Sequence, residues 1–587
     1  MARPFLWSVA SILFLALWSA LSSAWSGSAE LSVVEADRTL VYLGIFLAAF
    51  LIAQTERRRQ RFAEGLAIGA AIVVMLGLAS RLLPDLVEVA NSLGSGAQLR
   101  YPLGYWNANG IVFAAAVALL LWLSREAVWP GLRWLAVATM PAALVGLYFT
   151  FSRGGLLALA IGVGCLLALS RDRLWLLATA SLAALAAAPA LLAAQARDAL
   201  EDNAVSQTAI DQGHEVFWIL LAGTTLALAL FALLRRVERR GGRFTGRMIE
   251  VSRSPTLLKA VAAGLAIIAL VATLAVGGRA WDRFSSPDIQ APSEPVGNFS
   301  DLSGAGRYDF WRVSFDAFGE EPLAGVGAGS YEFAWERHRE TEQPIHDAHS
   351  LYFEAFAELG VVGGLAVLAL VAILLWTAFA AWRGAPATQR DRQAALLAAM
   401  LAFAVGAAFD WFWEIPGVGA IFFLAAGAAV ATRCAQLTRR ADLDGTAREN
   451  RGFWVAVAGL AAAWLSAIAL IGPLLVEREL DASRDAAAAG NLASAVEHAE
   501  TARSIEPWAA SPYVQLALLA EAERDYEGAT DFLSQAIDRE DRNWQLYYLR
   551  SRVERAAGDT AAARADVERA RQLNPREECL DGIPDCG

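Results

Sequence analysis

The chain has 587 residues, 56% of them hydrophobic and 19% charged, with a formal net charge of −11 and a mean hydropathy of +0.40. Soluble domains sit near about half apolar and about a quarter charged, and the apolar excess here is gathered in long runs, so it points to membrane spans rather than to one large core. The acidity argues against bulk nucleic-acid binding but leaves room for phosphate recognition at a local arginine cluster, the basic residues being nearly all arginine.

In chain order, apolar segments fall at 5–25, 39–55, 64–83, 110–124, 132–151, 154–170, 174–195, 215–234, 257–276, 351–381, 393–411, 417–433 and 453–475. Each is long enough, or nearly so, to cross a core about 30 Å thick at about 1.5 Å per residue. The stretches 110–124 and 417–433 are short, which puts the expected count at 12–13. The first segment also reads as a signal peptide, because SSAWSGSA offers small-residue cleavage sites.

Arginine placement orients these spans. Every second loop is basic: Arg57, Arg58, Arg59 and Arg61; Arg125 and Arg133; Arg171 and Arg173; the run from Arg235 to Arg253; Arg383, Arg390 and Arg392; and the run from Arg433 to Arg451. The positive-inside rule assigns that set to the cytoplasm. The long 277–350 loop and the chain after 475 are then extracytoplasmic.

The C-terminal part repeats. GNLASA (490–495), RDYEGA (524–529) and GDTAAA (558–563) align at a spacing of 34 residues, with Asn491, Asp525 and Asp559 in one column and Ala495, Ala529 and Ala563 in another. That period belongs to tetratricopeptide repeats, which pair helices and place small residues where they cross. The expected fold class is therefore all-α. A polytopic transmembrane helical bundle covers 1–475, a tetratricopeptide-like α-solenoid covers 476–578, and a tail covers 579–587. Of four cysteines, Cys165 and Cys434 read as packing residues, while Cys579 and Cys586 close the chain as CLDGIPDC and suit a disulfide if the tail is extracytoplasmic.

Polar residues gather where the outer membrane boundary is expected. In YPLGYWNANG (101–110), Asn107 and Asn109 suit helix capping and Tyr105 and Trp106 an interfacial aromatic belt, with substrate binding as the alternative. FSRGG (151–155) breaks two spans; Ser152 suits a cap, and Arg153 stands on the outer side against the charge bias, where a cation faces a cavity, a partner or lipid phosphate. GAGRYDFWRVSFDAF (304–318) reads as a helix in the long loop, with Arg307 at its start; Arg307 or Arg312 suits a bidentate phosphate contact. PLAGVGAGSYEF (322–333) is a glycine-rich turn without the Walker lysine, so it is not a nucleotide loop.

HDAHSLYFEAFAELGVVG (346–363) holds two of the five histidines. His349 falls at a helix N-terminus, which disfavours imidazolium and favours a neutral proton acceptor. His346 and His349 flank Asp347, but a third and fourth metal ligand are not evident nearby, so no metal is assigned. In DWFWEIP (410–416), Asp410 and Glu414 suit orienting a histidine or accepting sugar hydroxyls, and Trp411 and Trp413 suit sugar stacking or the belt.

Together these segments resemble the O-antigen ligase and polymerase superfamily, bacterial membrane glycosyltransferases that use undecaprenyl-diphosphate-linked glycans. The resemblance runs over about 40–435 and rests on GYWNANG, FSRGG, the GR…W…F…PLAGVGAGSY run and, most specifically, HDAHSLYFEAFAELGVVGG. Attached repeats also resemble forms of the family, including some protein O-oligosaccharyltransferases. The resemblance implies metal-independent, inverting transfer on the outer face of the bacterial inner membrane, with no cofactor. Arg153 and Arg307 would hold the lipid diphosphate and His349 would be the general base. The implied partners are a lipid-linked glycan donor, a glycan, lipid or protein acceptor, and a protein bound through the repeats. Two other classes compete: a transporter, which mid-span charges or an inverted repeat would favour, and a scaffold, which leaves the arginines and histidine unexplained.

Overall fold

The computed structural model describes residues 3–87, 96–203, 206–240, 277–279, 281–286, 303–443 and 471–581. The expected span at 257–276 and most of the one at 453–475 lie outside the described residues, as does Cys586; Cys579 stands in a disulfide. Among the described residues the protein is all helix, with no strand.

The helices used below are α1 (Arg3–Ser22), α2 (Ala29–Ile52), α3 (Glu56–Leu82), α4 (Trp106–Glu126), α5 (Pro130–Phe149), α6 (Arg153–Leu169), α7 (Arg173–Gln195), α8 (Gln207–Arg240), α9 (Arg307–Glu320), α10 (Tyr331–His338), α11 (Leu351–Arg383), α12 (Arg390–Gly406) and α13 (Pro416–Leu443). Six more follow: α14 (Ile471–Ala488), α15 (Leu492–Ile505), α16 (Ser511–Ala522), α17 (Tyr526–Ile537), α18 (Trp544–Ala557) and α19 (Thr560–Leu573). Eight of these are long and apolar enough to cross a membrane: α1, α3, α4, α5, α7, α8, α11 and α13. α6 is a shorter apolar helix. α2 is charged in its first half, which leaves too short an apolar stretch to qualify, and α12 has only 17 residues and opens on Arg390, Asp391 and Arg392.

The chain divides into two compact units. The first comprises Met1–Trp7, Ile45–Gly306 and Val371–Ala456. Its centre is α4, buried without interruption from Ala108 to Ser124. A helix apolar on all sides belongs inside a bundle. The alanines at 114, 115, 116 and 118 let α3, α5, α6 and α12 pack close around it.

The second unit comprises Ser8–Gly44, Arg307–Leu370 and Val457–Gly587. In it α14 to α19 pack each on the next. The aligned polar residues are caps: Asn491 accepts from the Ser494 N–H, Asp525 from Gly528, and Asp559 from Ala561 and Ala562. The aligned alanines 495, 529 and 563 are buried at helix contacts. This array is tied to the rest of its unit by polar side chains. Trp544 Nε1 donates to Glu336 at 2.8 Å, Ser28 Oγ to Glu540 at 2.6 Å, and the buried Arg339 to Asn574 at 2.9 Å and Glu577 at 3.2 Å. Glu30 accepts from the N–H groups of Ala510 and Ser511 and from Ser511 Oγ. It caps α16, whose own flanking Ala510 has no side chain to do so.

Burial pushes the Glu336 carboxyl up to about 7, against the opposing bond from Trp544, and burial beside Glu30 and Asp37 pushes Glu506 up to about 7. A carboxyl whose folded pKa exceeds its unfolded value of about 4.3 binds more protons when folded. The stability it contributes is complete below that unfolded value and is lost as pH rises through about 7. The unfolding midpoint of the second unit, followed by calorimetry in detergent, is therefore expected to fall between pH 5 and 8. Glu336→Gln and Glu506→Gln should each flatten that slope, and a slope unchanged in both would refute the burial account.

Candidate functional site

The second unit carries the histidine pair on a fixed loop. α11 breaks at Gly360, whose φ of 63° and ψ of −165° are non-helical. The break releases carbonyls that the glycine-rich turn then takes up: Val326 N–H donates to Ala357 O at 3.1 Å and Gly327 N–H to Glu358 O at 2.8 Å. Gly325 and Gly327 are left-handed, with φ of 74° and 107°. A Cβ on Gly325 would come within 2.2 Å of the Glu358 backbone, and one on Gly327 within 2.4 Å of Ser26. The glycines of PLAGVGAGSYEF therefore answer to backbone packing. α1 supports the same turn: Ser22 Oγ accepts from Ala328 N–H at 3.0 Å, and Trp18 Nε1 donates to Leu359 O at 3.1 Å.

Beyond that turn, α11 holds the histidine segment with two buried carboxylates one turn apart. Glu358 accepts from Tyr331 N–H at 3.0 Å and Glu354 from Ala348 N–H at 2.7 Å. His349 stands two residues before Leu351, just outside the helix rather than on its first turn, with a left-handed φ of 52°. For a non-glycine residue that backbone is strained and must be held by its surroundings. Its Nδ1 lies 3.0 Å from the Asp347 carbonyl oxygen. A carbonyl only accepts, so Nδ1 carries a proton, and in the neutral tautomer Nε2 is the basic nitrogen. The ring packs on Phe310 of α9, centroids 5.0 Å apart. Phe310 lies one turn after Arg307, on the same helix face.

Arg307 is the first residue of α9 and Arg153, in the first unit, the first residue of α6. Ser152 caps α6 as expected, accepting from Gly155 N–H at 3.0 Å. A cation at the positive end of a helix costs about 0.3–1 kcal/mol unless an anion shares the site. Such an end also presents backbone donors suited to phosphate. Arg312 is placed differently. Glu340 at 3.1 Å, Asp309 at 3.6 Å and Asp316 at 3.8 Å surround it, and a phosphate there would meet three carboxylates. His346 is exposed and pairs with Glu332 at 2.6 Å. The structure thus separates the two histidines: His349 is positioned by backbone and ring packing, and His346 is a surface ion-pair member.

In the first unit the expected carbohydrate ligands form a closed cluster. Asp410 accepts from Tyr105 OH at 2.7 Å, from Asn107 Nδ2 at 2.5 Å and from Trp411 N–H at 2.9 Å. Tyr105 stacks on Trp411 with centroids 4.5 Å apart. Asn109 is fully buried and donates to the carbonyls of Leu99, Arg100 and Tyr101, strapping that segment to α4; its Oδ1 has no hydrogen-bond partner among the described residues. Glu414 closes a short 3-10 turn, Phe412–Glu414. Sequence reasoning passed over Arg81, buried at the end of α3 and donating to Leu200 O at 3.0 Å and Ala97 O at 2.6 Å. The signal that singled out Arg153, an arginine on the outer side against the charge bias, applies to Arg81 equally. Arg100, over the Trp106 ring at 5.1 Å, was also missed.

Residues 217–368 match the O-antigen ligase family. That stretch includes Arg307, Arg312, His346 and His349, and leaves Asn107, Asn109, Arg153, Asp410 and Glu414 outside it. No curated protein matches the chain.

Two substitutions test the framework. Gly327→Ala forces both strain and overlap with Ser26, so it is expected to cost several kcal/mol and to open the 322–350 region to limited proteolysis. Asp410→Ala removes the acceptor that Tyr105 OH and Asn107 Nδ2 share, leaving Asn107 its bond to Tyr105 OH, and is expected to cost about 1–3 kcal/mol in thermal unfolding, more than Tyr105→Phe.

Proposed function

From the match of residues 217–368 to the O-antigen ligase family, we propose that this protein transfers a glycan from a polyprenyl-diphosphate carrier to an acceptor hydroxyl on the outer face of the bacterial inner membrane. The acceptor oxygen attacks the anomeric carbon and the bond from that carbon to the diphosphate oxygen breaks, with inversion. His349 Nε2 takes the hydroxyl proton as general base. Arg307 and Arg153 hold the diphosphate and stabilise the charge it gains on leaving, so that the reaction needs no metal. The observation that carries this reading is the His349 environment: a basic Nε2 set by the Asp347 carbonyl, on a ring packed against the first turn of the helix that Arg307 begins.

The same 34-residue column of capping side chains supports a tetratricopeptide-like role for 476–578. It favours a protein as partner or acceptor over a purely lipid-linked one.

Purified protein supplied with a lipid-diphosphate glycan and a hydroxyl acceptor is expected to form product. His349→Ala should slow transfer by about 10²–10⁴, and Arg307→Ala and Arg153→Ala should each reduce it strongly. His346→Ala and Arg312→Ala should stay near wild type. Full activity in His349→Ala would remove the base assignment, and loss in His346→Ala alone would transfer it to the other histidine.

A further inference from the structure

A groove within the first unit is lined by none of the candidate site residues assigned above. It has a volume of about 580 Å³ and runs along α3, closed on its far side by α13. Phe62 and Leu66 of α3 and Ile421 and Leu424 of α13 give it apolar walls. Its floor is bare where Gly65 and Gly69 stand, since a Cβ added at either would meet no atom within 4 Å. From Arg58 to Val73, the lining residues at its two ends on α3, the rise is about 22 Å. One leaflet of the apolar core is about 15 Å deep, so the groove is long enough to take an acyl chain at full length.

One end of the groove is charged. Arg58 and Arg61 line it there, both exposed. The neighbouring carboxylate, Glu56, is engaged elsewhere: Arg59 Nε lies 3.3 Å from it and Arg392 Nη1 2.7 Å. Among the described residues neither Arg58 nor Arg61 is in an ion pair. An apolar trough ending in two such cations complements an amphiphile with an anionic head and a hydrocarbon tail. The arginine alternation places this end on the cytoplasmic side, opposite to the outer face where the glycan carrier's diphosphate is expected. The occupant is therefore a lipid of the other leaflet.

We propose that this groove binds an anionic glycerophospholipid, one acyl chain lying along α3 between Gly65 and Gly69 and the phosphate held by Arg58 and Arg61. The site does not depend on the glycosyltransferase reading.

The test uses the full-length protein, delipidated in mild detergent and titrated with dioleoylphosphatidylglycerol, followed by native mass spectrometry and by the thermal unfolding midpoint. Wild type is expected to bind this lipid at least ten-fold more tightly than dioleoylphosphatidylcholine. Gly65→Leu with Gly69→Leu fills the groove from positions where an added Cβ meets no atom within 4 Å and raises helix propensity, so its lipid-free midpoint should hold while binding falls at least ten-fold. Arg58→Gln with Arg61→Gln should abolish the preference for the anionic lipid. Equal binding of the two lipids by wild type overturns the proposal, whatever the variants do. So does unchanged phosphatidylglycerol binding in both double variants. A midpoint shift reproduced by inorganic phosphate alone would mean a headgroup site without a chain. Displacement of phosphatidylglycerol by undecaprenyl phosphate, unaffected by the arginine changes, would make the groove a carrier-tail site and overturn it equally.

Discussion

The break of α11 at Gly360 is the constraint on which the second unit depends. An unbroken helix would have spent the carbonyls of Ala357 and Glu358 on its own ladder. Interrupted, it offers them to Val326 and Gly327, and the glycine-rich turn becomes part of the helix surface. Glu354 and Glu358 then reach from the same stretch to the backbone at Ala348 and Tyr331. The bond from Ala348 N–H to Glu354 ties the loop that carries His349 to that short piece of helix. A backbone group left unbonded near a membrane boundary is expensive, so a loop stitched by main-chain bonds is also a rigid one.

Charge is used in two opposite ways along this chain. Arg81 and Arg339 spend their donors on carbonyls, an amide and a carboxylate of the protein itself and serve as internal ties. Arg307 and Arg153 stand at helix starts, where the backbone already presents positive charge, whereas Arg312 lies inside its helix among three carboxylates. The difference lies in geometry rather than residue type, which is why composition alone could not sort them.

Much of this was legible beforehand. Hydropathy located eight helices long and apolar enough to cross a membrane, while the runs 39–55 and 393–411 fall on helices that do not qualify, and the repeat spacing marked Asn491, Asp525 and Asp559, which do cap helices. Ser152 was readable as a cap for the same local reason. What escaped was non-local or conformational. The run 351–381 reads as one uninterrupted apolar span, and nothing in its composition says that Gly360 turns left-handed. The bond between Tyr105 and Asp410 joins residues 305 positions apart, and neither neighbourhood points to the other. Asn109 read as a cap for the following span, or as a ligand; it lies inside α4 instead and caps nothing, and three local carbonyls explain its amide nitrogen. Arg312 looked equivalent to Arg307 until its acidic neighbours were located.

The cap that Glu30 places on α16 spans 480 positions of chain. Glu30 therefore leaves the ribosome well ahead of the helix it caps. The cap cannot form until α16 has been made, so the part of the second unit around Glu30 closes only after the histidine loop has itself been synthesised.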